Sequence, residues 1–257
     1  MNNPIILIIW WTDGMWAATV RSCAQRGAQV IFVGRSQNKA DQIIADIQTQ
    51  WCLIPVFYPA DISQTDSFIQ VLNTIISDRP HVSHVFCCAG VHMVASLTDT
   101  SLSDRERIMT TNLTSVFVTL QAILPQMMME NYGRVVVMCS DQSLIGKAQS
   151  SVYGASKWAL WQLVKSTAID YASHNICING ICPGTIDTKQ AAWAAQHFAQ
   201  AQGISTQDAM QDFAQAQPVK RLWTAEEVAK LATFLLLDND GYMTWSLYSI
   251  DGWLTAW

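Results

Sequence analysis

The chain has 257 residues, half of them hydrophobic and only 14% charged, which is enough apolar material for one large core and excludes a disordered chain. Its formal net charge is −5 and no basic stripe interrupts it, so neither nucleic acid nor an anionic membrane is expected as a partner. Seven cysteines lie mostly inside apolar runs and are expected to be reduced core residues of a cytoplasmic protein.

Taken in chain order, the predicted strands are Ile5–Trp11, Gln29–Val33, Ile54–Tyr58, His84–Cys88, Arg134–Cys139, Ile176–Ile181 and Ser246–Ile250. The first is too short for a membrane span, and no basic region precedes it as in a signal peptide. Helical patterns fall at 15–26, 38–50, 64–77, 102–130, 152–173 and 225–237. Most strands are apolar along their whole length, as strands covered by helices on both faces are. The alternation predicts an α/β fold: a doubly wound, Rossmann-type parallel sheet of about seven strands, in one domain spanning 1–257. Residues 189–217, rich in Ala and Gln, break the rhythm after the sixth strand and are read as a substrate lid over the carboxyl ends of the strands. His81 and His84 flank a strand start and are expected to be exposed; no histidine or cysteine spacing suggests a metal site.

The chemistry concentrates in Tyr153-Gly-Ala-Ser-Lys157, early in a helical pattern. Four residues apart on a helix, the phenol and the ammonium share a face. A free phenol titrates near ~10, and a neighbouring cation favours the phenolate, which predicts an acid/base group usable near neutrality. Ser140 ends an apolar strand thirteen residues earlier, and Asn112 lies in Thr111-Asn112-Leu113. With these spacings the chain resembles the short-chain dehydrogenase/reductase family, from Ile5 to the C-terminus. Asp61-Ile62-Ser63, Ala89-Gly90, Pro183–Thr188 and Asp251-Gly252 match as well.

The resemblance implies an oxidoreductase that moves a hydride between a nicotinamide cofactor and a carbonyl or secondary alcohol. Tyr153 would exchange a proton with the substrate oxygen and Lys157 would hold the cofactor ribose. Ser140 would stabilise the oxyanion, and Asn112 would position a relay water. Cofactor contacts are implied for Thr12, Asp13, Gly14, Met15, Arg35, Ser36, Asp61, Ile62, Ala89, Gly90, Tyr153, Lys157, Pro183, Gly184, Ile186 and Thr188. The second strand ends Gly34-Arg35 with no carboxylate until Asp41; Gly34 leaves room for a 2′-phosphate and Arg35 can bond it, which predicts NADP(H) over NAD(H). Family members commonly assemble through the long helix and the Tyr153 helix, which implies a homotetramer, or else a dimer. The pocket wall is expected from Asp141, Gln142, Ser143, Leu144, His92, Met93, Trp193 and Phe198, a mix that suits a small carbonyl compound.

One motif departs. Where the family reads Thr-Gly-x-x-x-Gly-Ile-Gly, this chain reads Ile9-Trp10-Trp11-Thr12-Asp13-Gly14-Met15-Trp16, keeping only the middle glycine. Trp51, Trp158, Trp223, Trp245 and Trp253 also stand where the family carries glycine or another small residue, and Cys88 stands where it carries asparagine. These departures keep a second reading open: a non-catalytic protein of the same fold, natural or engineered, impaired in cofactor binding and serving as a binding or assembly module.

Overall fold

The computed structural model describes residues 3–10, 14–51 and 54–256, apart from the side chains of residues 190 and 201. Seven strands form one parallel sheet: β1 (Ile5–Ile9), β2 (Gln29–Gly34), β3 (Val56–Pro59), β4 (Val82–Cys87), β5 (Gly133–Met138), β6 (Ile176–Pro183) and β7 (Leu247–Ile250). Their order in space is β3-β2-β1-β4-β5-β6-β7. The order reverses between β1 and β4, and in such sheets ligands bind in the crevice beyond the carboxyl ends at that point.

Period-2 alternation divides β1 between two cores. Leu7 and Ile9 face a cluster built with Phe68 and Leu72 of α3 (Thr65–Asp78), Ile123 of α5 (Ser115–Glu130) and Leu160 of α6 (Ser151–Tyr171). Ile6, Ile8 and Trp10 face the other cluster, with Val20 of α1 (Met15–Gln25), Ile43 of α2 (Gln37–Trp51) and Val228 of α9 (Ala225–Leu237). The parity that buries Ile6 and Ile8 therefore carries the Trp10 indole towards α1. Adjacent Cys87 and Cys88 divide in the same way between the two cores.

Three expectations need correction. The long helix at 102–130 is broken into α4 (Leu102–Met109), a π-helical turn at Thr110–Thr114 and α5. Both amide protons of Asn112, in that turn, are donated, to the Val91 carbonyl and the Ser156 hydroxyl at 3.0 Å each. The third strand starts at Val56, with Ile54 left 63% exposed. His84 is buried, its Nδ1 2.8 Å from the Ser83 hydroxyl, and burial with the nearby Arg134 cation lowers its pKa to about 4. His81 is exposed as expected, 2.6 Å from Glu130. The stretch 189–217 is a helical hairpin, α7 (Lys189–Gln202) and α8 (Thr206–Ala216), joined at Gly203 with φ 70°.

Candidate active site

A cavity of about 490 Å³ opens at the carboxyl ends of β4, β5 and β6. It is lined by Ser140, Tyr153 and Lys157, by Gly90 after β4, by Pro183, Gly184, Ile186 and Thr188 after β6, and by Met15 and Trp16 of α1. The α7–α8 hairpin supplies Ala191, Phe198, Phe213 and Gln217 to the same wall. Of the expected pocket residues Asp141, Gln142, His92 and Phe198 face the cavity, whereas Ser143, Leu144, Met93 and Trp193 do not line it. Ser143 instead donates to the Lys157 carbonyl at 2.8 Å, and Trp193 packs on His197 with ring centroids 4.0 Å apart.

Ser140 follows β5 and caps a short 3₁₀ turn, its Oγ accepting from the Gln142 amide at 3.2 Å and donating to Asp141 Oδ1 at 2.9 Å. Asp141 is buried and held from the other side by the Lys147 ammonium at 2.5 Å. Neither the carboxylate–lysine pair nor its grip on Ser140 was visible in the motif spacing, since Lys147 lies in a turn with no periodic signal. His92 lies edge-on to the Tyr153 ring at 4.5 Å and shares a hydrogen bond with Ser150 at 3.2 Å; its Nδ1 is buried without a partner among the described residues, and burial lowers its pKa to about 4.

The Tyr153–Lys157 pair differs from expectation. Burial raises the Tyr153 pKa, with the Ser140 hydroxyl, in hydrogen-bonding reach, pulling the other way. Lys157 is buried, and its Nζ donates to the Met138 carbonyl at 2.7 Å, lying 5.9 Å from the centre of the Tyr153 ring. Burial lowers its own pKa. The ammonium is thus aimed at a main-chain oxygen, so desolvation outweighs the cation's pull on the phenol. Asn112 has no amide proton left for a relay water, because Val91 and Ser156 take both, and its Oδ1 accepts from the Val91 amide at 2.8 Å.

The expected cofactor contacts separate into two groups. Met15, Gly90, Tyr153, Lys157, Pro183, Gly184, Ile186 and Thr188 surround the cavity. Gly90 lies close against Lys157: a Cβ there would stand 3.3 Å from Lys157 Nζ, so a larger residue would press on the ammonium. Gly14, with φ 119°, is the N-cap of α1 close under the Thr188 methyl, and among the described residues no side chain caps that helix, whose N-terminal end favours an anion. Thr12 and Asp13 lie outside the described residues.

The second group does not reach the cavity. Asp61 turns its carboxylate onto the Ser63 amide at 2.9 Å and hydroxyl at 2.6 Å; Ile62 and Ala89 are buried in the core, and Arg35 and Ser36 lie where β2 passes into α2. The room expected beside Gly34 is taken. The Trp10 indole covers it so closely that a Cβ on Gly34 would lie 2.2 Å from Trp10 Cε2. Trp16 stacks on Trp10 at 3.9 Å and 13°, and Phe32 lies 5.7 Å beyond. A nicotinamide and its ribose fit the residues at the cavity end; a whole dinucleotide does not fit the side chains as they stand.

Among the described residues no group of three or more His, Cys, Asp or Glu side chains could hold a metal ion. Residues 12–255 match the family profile described as Enoyl-(Acyl carrier protein) reductase. The chain is 30% identical to Dehydrogenase/reductase SDR family member 6 of Danio rerio, covering 98% of this chain and 97% of that one. It is 27% identical to D-beta-hydroxybutyrate dehydrogenase of Rhizobium meliloti (strain 1021), covering 95% and 96%. The L-sorbose reductase of Gluconobacter frateurii, solved with NADPH and L-sorbose, superposes with a TM-score of 0.91 at 19% identity, covering 99% and 97%. With the parallel sheet, the Ser140–Tyr153–Lys157 cluster and near-full-length likeness all in agreement, the chain belongs to the short-chain dehydrogenase/reductase family.

Proposed function

We propose that the chain is an oxidoreductase interconverting a carbonyl and a secondary alcohol on a small organic substrate, with a nicotinamide nucleotide as hydride carrier. The observation that carries this reading is the convergence of the Ser140 and Tyr153 hydroxyls on one wall of a cavity that Lys157 also lines. Burial keeps Tyr153 a neutral phenol at neutral pH, ready to give its proton to a substrate oxygen as negative charge develops there. The phenolate left behind is neighboured by the Lys157 ammonium. Ser140 turns its proton from Asp141 to the same oxygen, and the Asp141–Lys147 pair fixes the hydroxyl until then. Such preformed donors are worth most in a site closed to water, and the α7–α8 hairpin acts as the lid that closes this one.

The relatives support the reaction class: one is a hydroxybutyrate dehydrogenase, and the L-sorbose reductase of the same fold holds NADPH and a sugar. Between the two dinucleotides the end of β2 favours NADP(H), since Arg35 supplies a cation and no carboxylate lies between Gly34 and Asp41. That preference concerns the adenosine end of the cleft, which the tryptophans fill. A homotetramer, or failing that a dimer, assembles through α5 and α6, where Phe117 is 49% and Trp158 58% exposed along an open groove with Leu113 and Leu163. The cytoplasm suits the six described thiols, all unpaired.

The test is a screen of ketones and secondary alcohols with NADP(H) and with reduced and oxidised nicotinamide mononucleotide, on the wild type and on a W10G/W16G variant. Turnover by either protein, lost by about 10²-fold or more on Tyr153→Phe, is the expected result. Failure of both proteins, shown to be folded, would overturn the assignment in favour of the binding-module reading.

A further inference from the structure

A dinucleotide lying across this sheet would run from the cavity past the start of α1 to the end of β2. At that end the face of Gly34 on which a Cβ would stand is covered by indole. Trp10 is 2% and Trp16 4% exposed, they are stacked on each other, and the first lies on Gly34. Both indole Nε1 atoms are buried without a hydrogen-bond partner among the described residues. A buried tryptophan N–H normally finds an acceptor, and one left without costs stability. The two rings thus extend the apolar core across the start of α1 to the end of β2, at the cost of leaving their own N–H groups unanswered.

We infer that the Trp10–Trp16 stack fills the adenosine-ribose subsite, so that these two side chains, and not the catalytic set, decide what the cleft accepts: the nicotinamide mononucleotide half of the cofactor without its adenosine half. For the nicotinamide end this rests on the function proposed above; for the adenosine end it rests on the stack alone. Calorimetric titrations with ADP-ribose, NADPH and reduced nicotinamide mononucleotide separate the two. ADP-ribose carries no nicotinamide, so it reports only on the adenosine end. For the wild type, no ADP-ribose binding and no tighter binding of NADPH than of the mononucleotide are expected. In a W10G/W16G variant, ADP-ribose binding appears and NADPH gains about tenfold or more over the mononucleotide. ADP-ribose binding by the wild type, or NADPH held there about tenfold more tightly than the mononucleotide, overturns the inference. Should the variant fail to fold, these wild-type titrations decide it. ADP-ribose binding by the variant, with no mononucleotide binding by either protein, would uphold the inference and remove the functional reading.

Trp245 and Trp253 carry a second, independent observation. Their φ angles are 64° and 75°, in the left-handed region that glycine favours, and they are 52% and 72% exposed. A bulky aromatic residue there is an outlier. Together with Trp10, Trp16 and Trp223 they stand where the family resemblance puts glycine or another small residue. Independent mutations at these sites would leave a scatter of small residues, whereas all five carry tryptophan. One repeated exchange is the mark of a single codon. We infer that the cell of origin inserts glycine at these positions, reading as glycine a codon (UGA) that another genetic code reads as tryptophan. Peptide masses across residues 10–16 and 245–253 of the protein isolated from its source cells test this. Glycine at these positions supports it and makes the W10G/W16G cleft the natural one; tryptophan overturns it.

Discussion

The two ends of the cleft, on either side of the start of α1, differ in kind. At the cavity end the reacting groups are each held, Ser140 on Asp141, Asp141 on Lys147, Lys157 on the Met138 carbonyl, Asn112 on Val91 and Ser156, while His92 Nδ1, Gln142 Oε1 and Gln217 Oε1 in the cavity wall are buried with no partner among the described residues. At the β2 end two indole N–H groups have no partner among the described residues, and aromatic rings fill the space. The difference teaches that a catalytic set and access to it are separable. Spacing along one strand and one helix assembles the set, whereas access depends on what two side chains in the neighbouring turn leave open.

The sharpest way to break the comparison is to act on the cavity end alone. In the W10G/W16G background, Ser140→Ala should lower turnover by about 10²–10³-fold, the cost of removing one oxyanion donor, with the urea midpoint little changed. An equal loss of folding stability would make Ser140 a structural residue.

His84 offers a control in the core behind both ends. Its folded pKa is about 4 against an ordinary value of 6.5, so protonation favours the unfolded chain. Stability is therefore fully present above the unfolded value and is lost as pH falls from 6.5 towards 4. A group buried this way contributes up to about 3 kcal/mol over that window. Urea titrations at pH 7 and pH 4.5 should show the drop, and His84→Gln should flatten it. His92, shifted for the same reason, adds to the slope and remains in that variant.

Gly34→Asp tests the filled end directly. With Trp10 in place the new Cβ meets the indole, and overpacking of this kind costs about 1–3 kcal/mol. In the W10G/W16G background the cost should shrink, and the non-additivity of the cycle measures the contact. Additive costs would mean that Trp10 does not lie on Gly34.

The smallest effect belongs to the exposed turn at Trp253. A left-handed backbone costs a non-glycine residue about 1–2 kcal/mol, and glycine returns part of that as unfolded-chain entropy. Trp253→Gly should thus stabilise the chain by about 1 kcal/mol in urea. A loss of stability would show that the indole makes contacts that outweigh the turn.

The sequence alone determined the sheet and the outline of the site. Apolar β-branched runs alternating with helical periods can satisfy their backbones and bury their faces only as a covered parallel sheet. Tyr153 and Lys157 share a helix face because of their spacing, and the tryptophans could be located at glycine positions by motif alone. Only the tertiary structure decided which partner each polar group takes. Lys157 turns to a carbonyl of β5, His84 is buried although it lies near a strand start, Asp141 and Lys147 brace Ser140, and Trp10 crosses to Gly34. These outcomes depend on groups distant in sequence and on burial, and local periodicity carries no information about either.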